Sequence, residues 1–215
     1  MLQVQNLYLC YPEQSKPIFE KLSFELQEGE LLWLKGPNGC GKTSLLNCIS
    51  GIIPMRIKTE FNGTIKLNNI DLNPVPINER FRYLAYQMSD PDNQIFFPRV
   101  EKELSFALEN AGLTIPEMKE RILQASKDFG LQEFWETEPG KLSRGEKKLL
   151  VLAFCSAQDT PLYLLDEPTS ALSGESILKV KNWLIKLLSQ GKTVIMVEHN
   201  PNLSSLATQI LDLGL

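Results

Sequence analysis

The amino-acid sequence predicts an α/β fold with a buried parallel sheet, an N-terminal antiparallel β part and a helical insertion in its middle third. Short apolar runs at residues 31–34, 162–165 and 193–197 are typical of strands buried on both faces. Between the last two runs, an amphipathic helix is predicted from the spacing of Ile177, Val180, Leu184 and Leu187. Strand, helix and strand in this order favour parallel strands joined by a right-handed crossover.

The N-terminal third is predicted to consist mainly of strands and turns. Residues 61–72 form a candidate hairpin with Asn68-Asn69 at its turn. Asparagine tolerates the positive φ angles that tight hairpin turns require. This hairpin is the clearest sign of the antiparallel β part.

The middle third carries helical signals. A helix is predicted from the spacing of Val100, Leu104, Leu108 and Ala111, and Gly112 is expected to end it. Thr114 and Glu117 then form a capping box that opens a second helix, and Gly130 is expected to end it. We therefore expect a single domain over residues 1–215, with a helical subdomain at roughly 90–145 inserted in the α/β core.

Composition and charge disfavour several classes of protein. The net charge of −4 argues against nucleic acid as the main partner, because such footprints are usually basic. The four cysteines form no CxxC pair, which disfavours zinc or disulfide frameworks and fits a reducing cytosol. No signal-peptide pattern opens the chain. The longest apolar run, near residues 149–157, is shorter than the ~20 residues that span a bilayer, so we expect no membrane crossing.

Residues 36–43, GPNGCGKT, match the phosphate-loop pattern G-x-x-x-x-G-K-[ST] and lie between a predicted strand and a predicted helix. Glycines let backbone N–H groups approach phosphate oxygens, and the helix start adds partial positive charge. We expect Lys42 to reach the β- and γ-phosphates and the Thr43 hydroxyl to bind Mg²⁺. The residues predicted to cradle ATP are Asn38, Gly39, Cys40, Gly41, Lys42, Thr43 and Ser44.

Two carboxylates, Asp166 and Glu167, follow the buried strand at 162–165. Ligands of an open parallel sheet bind beyond the carboxyl ends of its strands, so both carboxylates are expected beside the phosphate loop. Asp166 is a candidate to hold Mg²⁺, usually through water. Glu167 is a candidate to polarise the water that attacks the γ-phosphate.

Together with three further motifs, these residues resemble the nucleotide-binding subunit of ABC transporters, and the resemblance covers essentially the whole chain. Residues 142–146, LSRGE, are similar to the family signature LSGGQ, although alone they form only a capping box that opens a helix. His199, the only histidine, follows the last core strand as the family's switch histidine does. Gln87 matches the Q-loop glutamine. Tyr11 lies where the family places an aromatic that stacks on adenine, with Tyr8 or a core role as alternatives.

The resemblance implies a P-loop NTPase core of the RecA-like type that works as a head-to-tail dimer with a second ABC ATPase subunit. Ser143 and Gly145 would donate to the γ-phosphate bound by that second subunit, which could be identical or a paralogue. In the chain's own site, the implied catalytic residues are Glu167, His199 and Gln87, and the implied Mg²⁺ residues are Thr43, Gln87 and Asp166.

Two positions depart from the family pattern. Arg144 replaces the second-position glycine of the signature and puts a cation near the phosphate of the opposite site. Ser173 stands where the family's D-loop normally carries aspartate, which removes a charge used against the opposite phosphate loop. These departures predict two unequal sites and a paralogue as partner.

The segment after Gln87 indicates a subgroup. Its run Pro91-Asp92-Asn93-Gln94-Ile95-Phe96 resembles the energy-coupling-factor and cobalt-type importer ATPases. Gln94, Phe96 and Phe97 would then help to grip a transmembrane subunit, whereas an ordinary loop with two core phenylalanines is the alternative. The leading hypothesis is an ATPase at the cytoplasmic face of the membrane that powers uptake of a vitamin or metal ion.

Two other functions stay open from the sequence. An ABC-type ATPase outside transport, in cofactor assembly or DNA repair, would not sediment with membranes. A P-loop GTPase or kinase is disfavoured because the chain lacks the guanine-specific Asn-Lys-x-Asp motif.

Overall fold

The computed structural model describes residues 1–109 and 112–214. The strands of this part of the chain are β1 Leu2–Cys10, β2 Phe19–Leu26, β3 Leu31–Lys35, β4 Glu60–Leu67, β5 Ile70–Asp71, β6 Leu84–Gln87, β7 Leu162–Asp166, β8 Thr193–Val197 and β9 Gln209–Asp212. Its α-helices are α1 Lys42–Ser50, α2 Ile52–Met55, α3 Val100–Glu109, α4 Ile115–Phe129, α5 Arg144–Gln158 and α6 Gly174–Ser189. The predicted end of α3 near Ala111 lies outside the described residues.

The strands form two sheets. An antiparallel sheet has the order β2-β1-β4-β5, and a sheet whose neighbours are all parallel has the order β6-β7-β8-β3-β9. Asn68 and Asn69 form the turn between β4 and β5 with φ angles of 48° and 65°. The predicted hairpin and the predicted parallel sheet are therefore both confirmed.

The parallel sheet is buried on both faces, as its uninterrupted apolar strands predict. On β3, Leu31 and Trp33 pack into one apolar cluster with α3, α4, α5 and α6. Leu32 and Leu34, which point to the opposite face, pack with α1 and with the antiparallel sheet. The period of two along a strand thus separates two cores, one helical and one shared with the N-terminal sheet.

Helix α4 begins and ends where its capping residues predict. At the start of α4, the N–H and hydroxyl of Thr114 donate to Glu117 Oε2 at 2.8 and 2.6 Å. Gly130 ends α4 with a φ of 72°. Helices α3 and α4 lie between β6 and β7 in the chain and pack on α5. Among the described helices, none combines the length and the apolar character needed to span a bilayer.

Candidate active site

The parallel sheet brings the predicted site residues to one edge. The phosphate loop follows β3, Asp166 ends β7, and Gln87 ends β6. His199 lies two residues beyond β8. Because β6, β7, β8 and β3 are successive neighbours, residues far apart in sequence meet at the carboxyl ends of these strands.

Gly41 and Lys42 hold the phosphate loop in its conformation. Gly41 has a φ of 104°, and a Cβ there would lie 2.4 Å from Ile18 Cγ2, so only glycine fits without a shift. The Lys42 side chain is almost fully buried, and its Nζ donates to Gly36 O at 2.7 Å and to Pro37 O at 2.9 Å. The lysine thereby holds its positive charge inside the loop.

A cavity of about 360 Å³ lies between the phosphate loop and the two carboxylates. It is lined by Asn38, Gly39, Gly41, Lys42, Thr43, Ser44, Asp166, Glu167 and Val197. Cys40 is not among these lining residues, because its Sγ lies next to Gly36 and 3.9 Å from Lys42 Nζ. The structure therefore groups every predicted phosphate-loop residue except Cys40 around one cavity.

Three oxygen-bearing side chains meet beside this cavity. Thr43 Oγ1 donates to Asp166 Oδ2 at 2.8 Å. The Gln87 amide nitrogen donates to the backbone oxygens of Met88 and Asp166, which fixes its orientation. Gln87 Oε1 is buried and has no hydrogen-bond partner among the described residues. Hydroxyl, carboxylate and amide oxygens are the ligands that Mg²⁺ prefers, so these residues fit a magnesium ion.

The carboxylate of Asp166 is costly to bury as it stands. Burial raises its pKa, and the neighbouring Glu167 adds to that effect, whereas the hydrogen bond from Thr43 opposes it. A divalent cation next to Asp166 would favour the charged form and offset this cost. The raised pKa of Asp166 and the set of oxygen donors therefore both fit a bound divalent cation.

Glu167 is held in an uncommon backbone conformation. Its φ is 53°, a left-handed value that costs a non-glycine residue about 1 to 3 kcal/mol. Its N–H donates to Val197 O at 2.9 Å, and its carbonyl accepts from the N–H and hydroxyl of Ser170. His199 Nε2 lies 3.8 Å from Glu167 Oε1. The surrounding loops thus fix the backbone of Glu167 while its side chain stays accessible.

Tyr11 lies beside the phosphate-loop helix. Its ring is half-buried, and its hydroxyl is 3.0 Å from Ser44 Oγ. The side chain therefore neighbours a cavity-lining residue without lining the cavity itself. This placement is compatible with both roles predicted for Tyr11.

The signature residues lie away from the cavity of their own chain. Ser143 caps α5 in a reciprocal box with Glu146, whose Oε2 accepts from the Ser143 N–H and hydroxyl at 2.7 Å each. A Cβ on Gly145 would lie 3.0 Å from Ala171 O, so a glycine lets the start of α5 pack against the turn after Glu167. Arg144 and Ser173 are exposed.

Two buried charged residues near the site were missed from the sequence. Lys148 is fully buried in α5, and its Nζ donates to Ser89 O at 2.5 Å, just beyond Gln87. Burial lowers the Lys148 pKa, whereas the nearby Glu167 and Asp166 carboxylates oppose the shift. Glu198 is buried between β8 and His199. In both cases the sequence signal was a charged residue beside an apolar run. Lys148 directly precedes the run at 149–157, and Glu198 directly follows the run at 193–197.

Comparison with known proteins identifies the family. The ABC transporter family model matches residues 19–170. The chain belongs to the ABC transporter family. It is a domain of the ABC ATPase family with the predicted P-loop NTPase fold, and the match includes the phosphate loop, the signature and both carboxylates.

Curated ABC relatives cover nearly all of this chain. A Pyrococcus furiosus protein described as an ABC transporter ATP-binding protein is 32% identical over 203 residues, which are 94% of this chain and 75% of that protein. A Sulfurisphaera tokodaii protein described in the same way is 33% identical over 94% of this chain. The chain spans 42% of the Sulfurisphaera protein and 31% to 40% of several other relatives.

Solved ABC structures share the fold. The cbiO1 protein from Clostridium perfringens, described as part of the ABC transporter complex cbiONQ, superposes with a TM-score of 0.76 and 26% identity, covering 93% of this chain and 78% of cbiO1. The dimeric cassette MJ0796, described as a bacterial ABC transporter cassette, has a TM-score of 0.86 and 25% identity. That alignment covers 99% of this chain and 94% of the cassette.

Proposed function

We propose that this ABC domain hydrolyses ATP to drive a separate membrane transporter, an importer of the energy-coupling-factor type that carries a vitamin or a metal ion. The chain would work at the cytoplasmic face of the membrane, as a peripheral subunit paired with a second ABC ATPase. The observation that carries the transporter proposal is an exposed aromatic surface at the end of the segment that begins at Gln87.

This aromatic patch consists of Phe96, Phe97 and Phe106. Phe96 is 77% exposed and Phe106 is 41% exposed, and the rings of Phe97 and Phe106 lie with their centroids 4.8 Å apart. Large apolar side chains grouped at a surface indicate a protein contact. Phe106 also lines a groove of about 630 Å³ together with Phe154 and residues of the segment 77–82. A helix of a transmembrane subunit would supply apolar side chains for the phenylalanines of this groove.

The patch is held in place by a buried glutamate. Glu103 is 2% exposed, and its Oε2 accepts the N–H groups of Phe96 and Phe97 at 3.0 and 2.9 Å. The structure corrects the role expected for Gln94. Its amide points inward, where Oε1 accepts from Met88 N at 2.6 Å and Nε2 donates to Tyr86 O at 2.7 Å. Gln94 therefore shapes the loop and leaves docking to the phenylalanines.

In the proposed mechanism, the phosphate loop and Lys42 bind the β- and γ-phosphates, and Tyr11 contacts the adenine. Thr43, Asp166 and Gln87 would hold Mg²⁺, which offsets phosphate charge when bound. Glu167 accepts a proton from the attacking water. The water oxygen forms a bond to the γ-phosphorus while the bond from the γ-phosphorus to the bridging oxygen breaks, and ADP leaves with that oxygen. His199 donates a hydrogen bond to the γ-phosphate. Ser143 and Gly145 act on the nucleotide of the second subunit.

Affinity purification from detergent-solubilised membranes of the source organism tests the transporter assignment. We expect the tagged chain to retain a multi-spanning membrane protein. Phe96→Asp should abolish that retention and leave ATP hydrolysis unchanged, because a carboxylate in an apolar contact lacks a partner. Ile115→Asp is the matched control, since Ile115 on α4 is 69% exposed but lies outside the patch. Retention of soluble proteins alone would instead support an ABC ATPase outside transport.

A further inference from the structure

The buried carboxylate of Glu198 joins two loops of the catalytic edge. Glu198 is 6% exposed and lies between β8 and His199. Its Oε1 accepts the backbone N–H groups of His199 and Asn200 at 2.7 and 3.1 Å. Its Oε2 accepts the backbone N–H and the hydroxyl of Thr169 at 3.0 and 2.6 Å. Each oxygen therefore serves a different loop.

These four bonds use the full capacity of the carboxylate. An ionised carboxylate accepts about four hydrogen bonds, so Glu198 has none to offer to a nucleotide or a metal ion. Bonds to a charged acceptor are roughly twice as strong as neutral ones, which lets four donors offset the cost of burying the charge. The Trp33 indole N–H also donates to Glu198 O at 2.9 Å and fixes the backbone from which the side chain projects.

The two loops carry the residues proposed for catalysis. His199 is held through its own N–H by Glu198 and reaches Glu167 at 3.8 Å. The second loop runs from Thr169 to Ser173, and Ser170 within it donates two bonds to Glu167 O. A shift of Thr169 would therefore act on the left-handed backbone of Glu167 through Ser170. No hydrogen bond joins the Glu198 carboxylate to the His199 imidazole or the Glu167 carboxylate; it holds the backbone of His199 directly and that of Glu167 through Thr169 and Ser170.

We infer that Glu198 is a positioning residue for ATP hydrolysis, which clamps the loop of His199 to the turn that follows Glu167. The inference rests on the proposed roles of His199 and Glu167. The turn after Thr169 also packs on Gly145 and ends at the exposed Ser173. The clamp therefore connects the histidine of one site to the surface that faces the second subunit in the proposed dimer.

The first test replaces Glu198 by glutamine in the full chain. The amide NH₂ cannot accept a hydrogen bond, so two of the four donors lose their acceptor and one loop is released. We expect kcat to fall about 10- to 100-fold, the range for residues that orient catalytic groups. KM for ATP should stay unchanged because the phosphate loop is untouched. Glu117→Gln is the matched control, since Glu117 accepts the N–H and hydroxyl of Thr114 in the same pattern on α4.

A second pair of variants keeps the test decisive if Glu198→Gln fails to fold. Thr169→Val removes the hydroxyl donor and should lower kcat, whereas Thr169→Ser retains the donor and should restore kcat. Unchanged kcat in Thr169→Val and in folded Glu198→Gln would overturn the inference. A rise in KM as large as the loss of kcat would also overturn it, because the clamp would then serve ATP binding or the fold. The ATPase assay uses no membrane, so its result does not depend on whether a transporter partner is found.

Discussion

The residues proposed to bind the chain's own nucleotide and those proposed to face a second subunit are organised differently. At the chain's own site, Thr43 bonds Asp166, Gln87 bonds the Asp166 backbone, and His199 lies beside Glu167. These contacts connect parts of the sequence more than 30 residues apart. The signature residues bond mainly within their own turn, as in the box between Ser143 and Glu146.

This difference indicates where each group finds its ligand. A site whose members contact one another is preorganised within the chain and can bind a nucleotide there. Exposed residues such as Arg144 and Ser173, which lie at helix starts, present charge or N–H groups outwards. Substitutions in the first group should therefore change ATP binding or hydrolysis at the chain's own site. Substitutions in the second group should change hydrolysis only in a dimer, at the site of the other subunit.

Glu167→Gln is expected to give the largest effect and would test the first group. Glutamine has the same shape and can orient a water, but it cannot accept the water's proton at neutral pH. The rate of ATP hydrolysis should fall about 10²- to 10⁴-fold with ATP affinity retained. Glu175→Gln is a control on the exposed first turn of α6 and should leave the rate unchanged. Hydrolysis within a few-fold of wild type would show that Glu167 is not the base.

Lys42→Ala should weaken nucleotide binding by a smaller factor. The change removes a charge-assisted hydrogen bond worth about 1.5 to 3 kcal/mol, or roughly 10- to 150-fold in Kd. Lys35→Ala is the control, because Lys35 is an exposed lysine at the end of β3 that does not line the cavity. Equilibrium binding of a fluorescent ATP analogue measures both variants, and equal affinities would contradict the phosphate-loop assignment.

Ser173→Asp should have the smallest effect and the opposite sign. Purified alone, the chain should hydrolyse ATP slowly, because the exposed serine cannot supply the carboxylate that orders the opposite phosphate loop. Aspartate should raise the steady-state rate several-fold. Ser173→Asn separates charge from helix capping, since asparagine caps as well as aspartate but is neutral. Vigorous hydrolysis by the isolated chain, with no gain from Ser173→Asp, would contradict the prediction of a paralogue partner and two unequal nucleotide sites.

The sequence predicted the parallel sheet, the hairpin and the helix starts because each depends on local chemistry. Apolar runs define buried strands, paired asparagines permit a positive φ, and Thr114 with Glu117 satisfies the N–H groups of a helix start. The phosphate-loop residues and Asp166 were also predicted to meet at one sheet edge, and they do. That prediction needed only the rule that ligands lie at the carboxyl ends of parallel strands.

Side-chain direction could not be predicted in the same way. Gln94 was expected at the partner surface but turns inward to bond Met88 and Tyr86. Cys40 lies within the phosphate loop in sequence, yet its thiol lies against Gly36 instead of the cavity. The clamp at Glu198 depends on Thr169, which is 29 residues away. Such pairings are set by tertiary packing, and no local pattern records them.

The left-handed backbone at Glu167 places folding and turnover in opposition at a single position. Glycine adopts a φ of 53° without steric cost, so it would relieve the strain that glutamate bears there. Selection for thermal stability alone would therefore favour glycine, which lacks the carboxylate proposed as the base. In the proposed mechanism, Glu167 therefore supplies the base at the γ-phosphate at a cost to the stability of the folded chain.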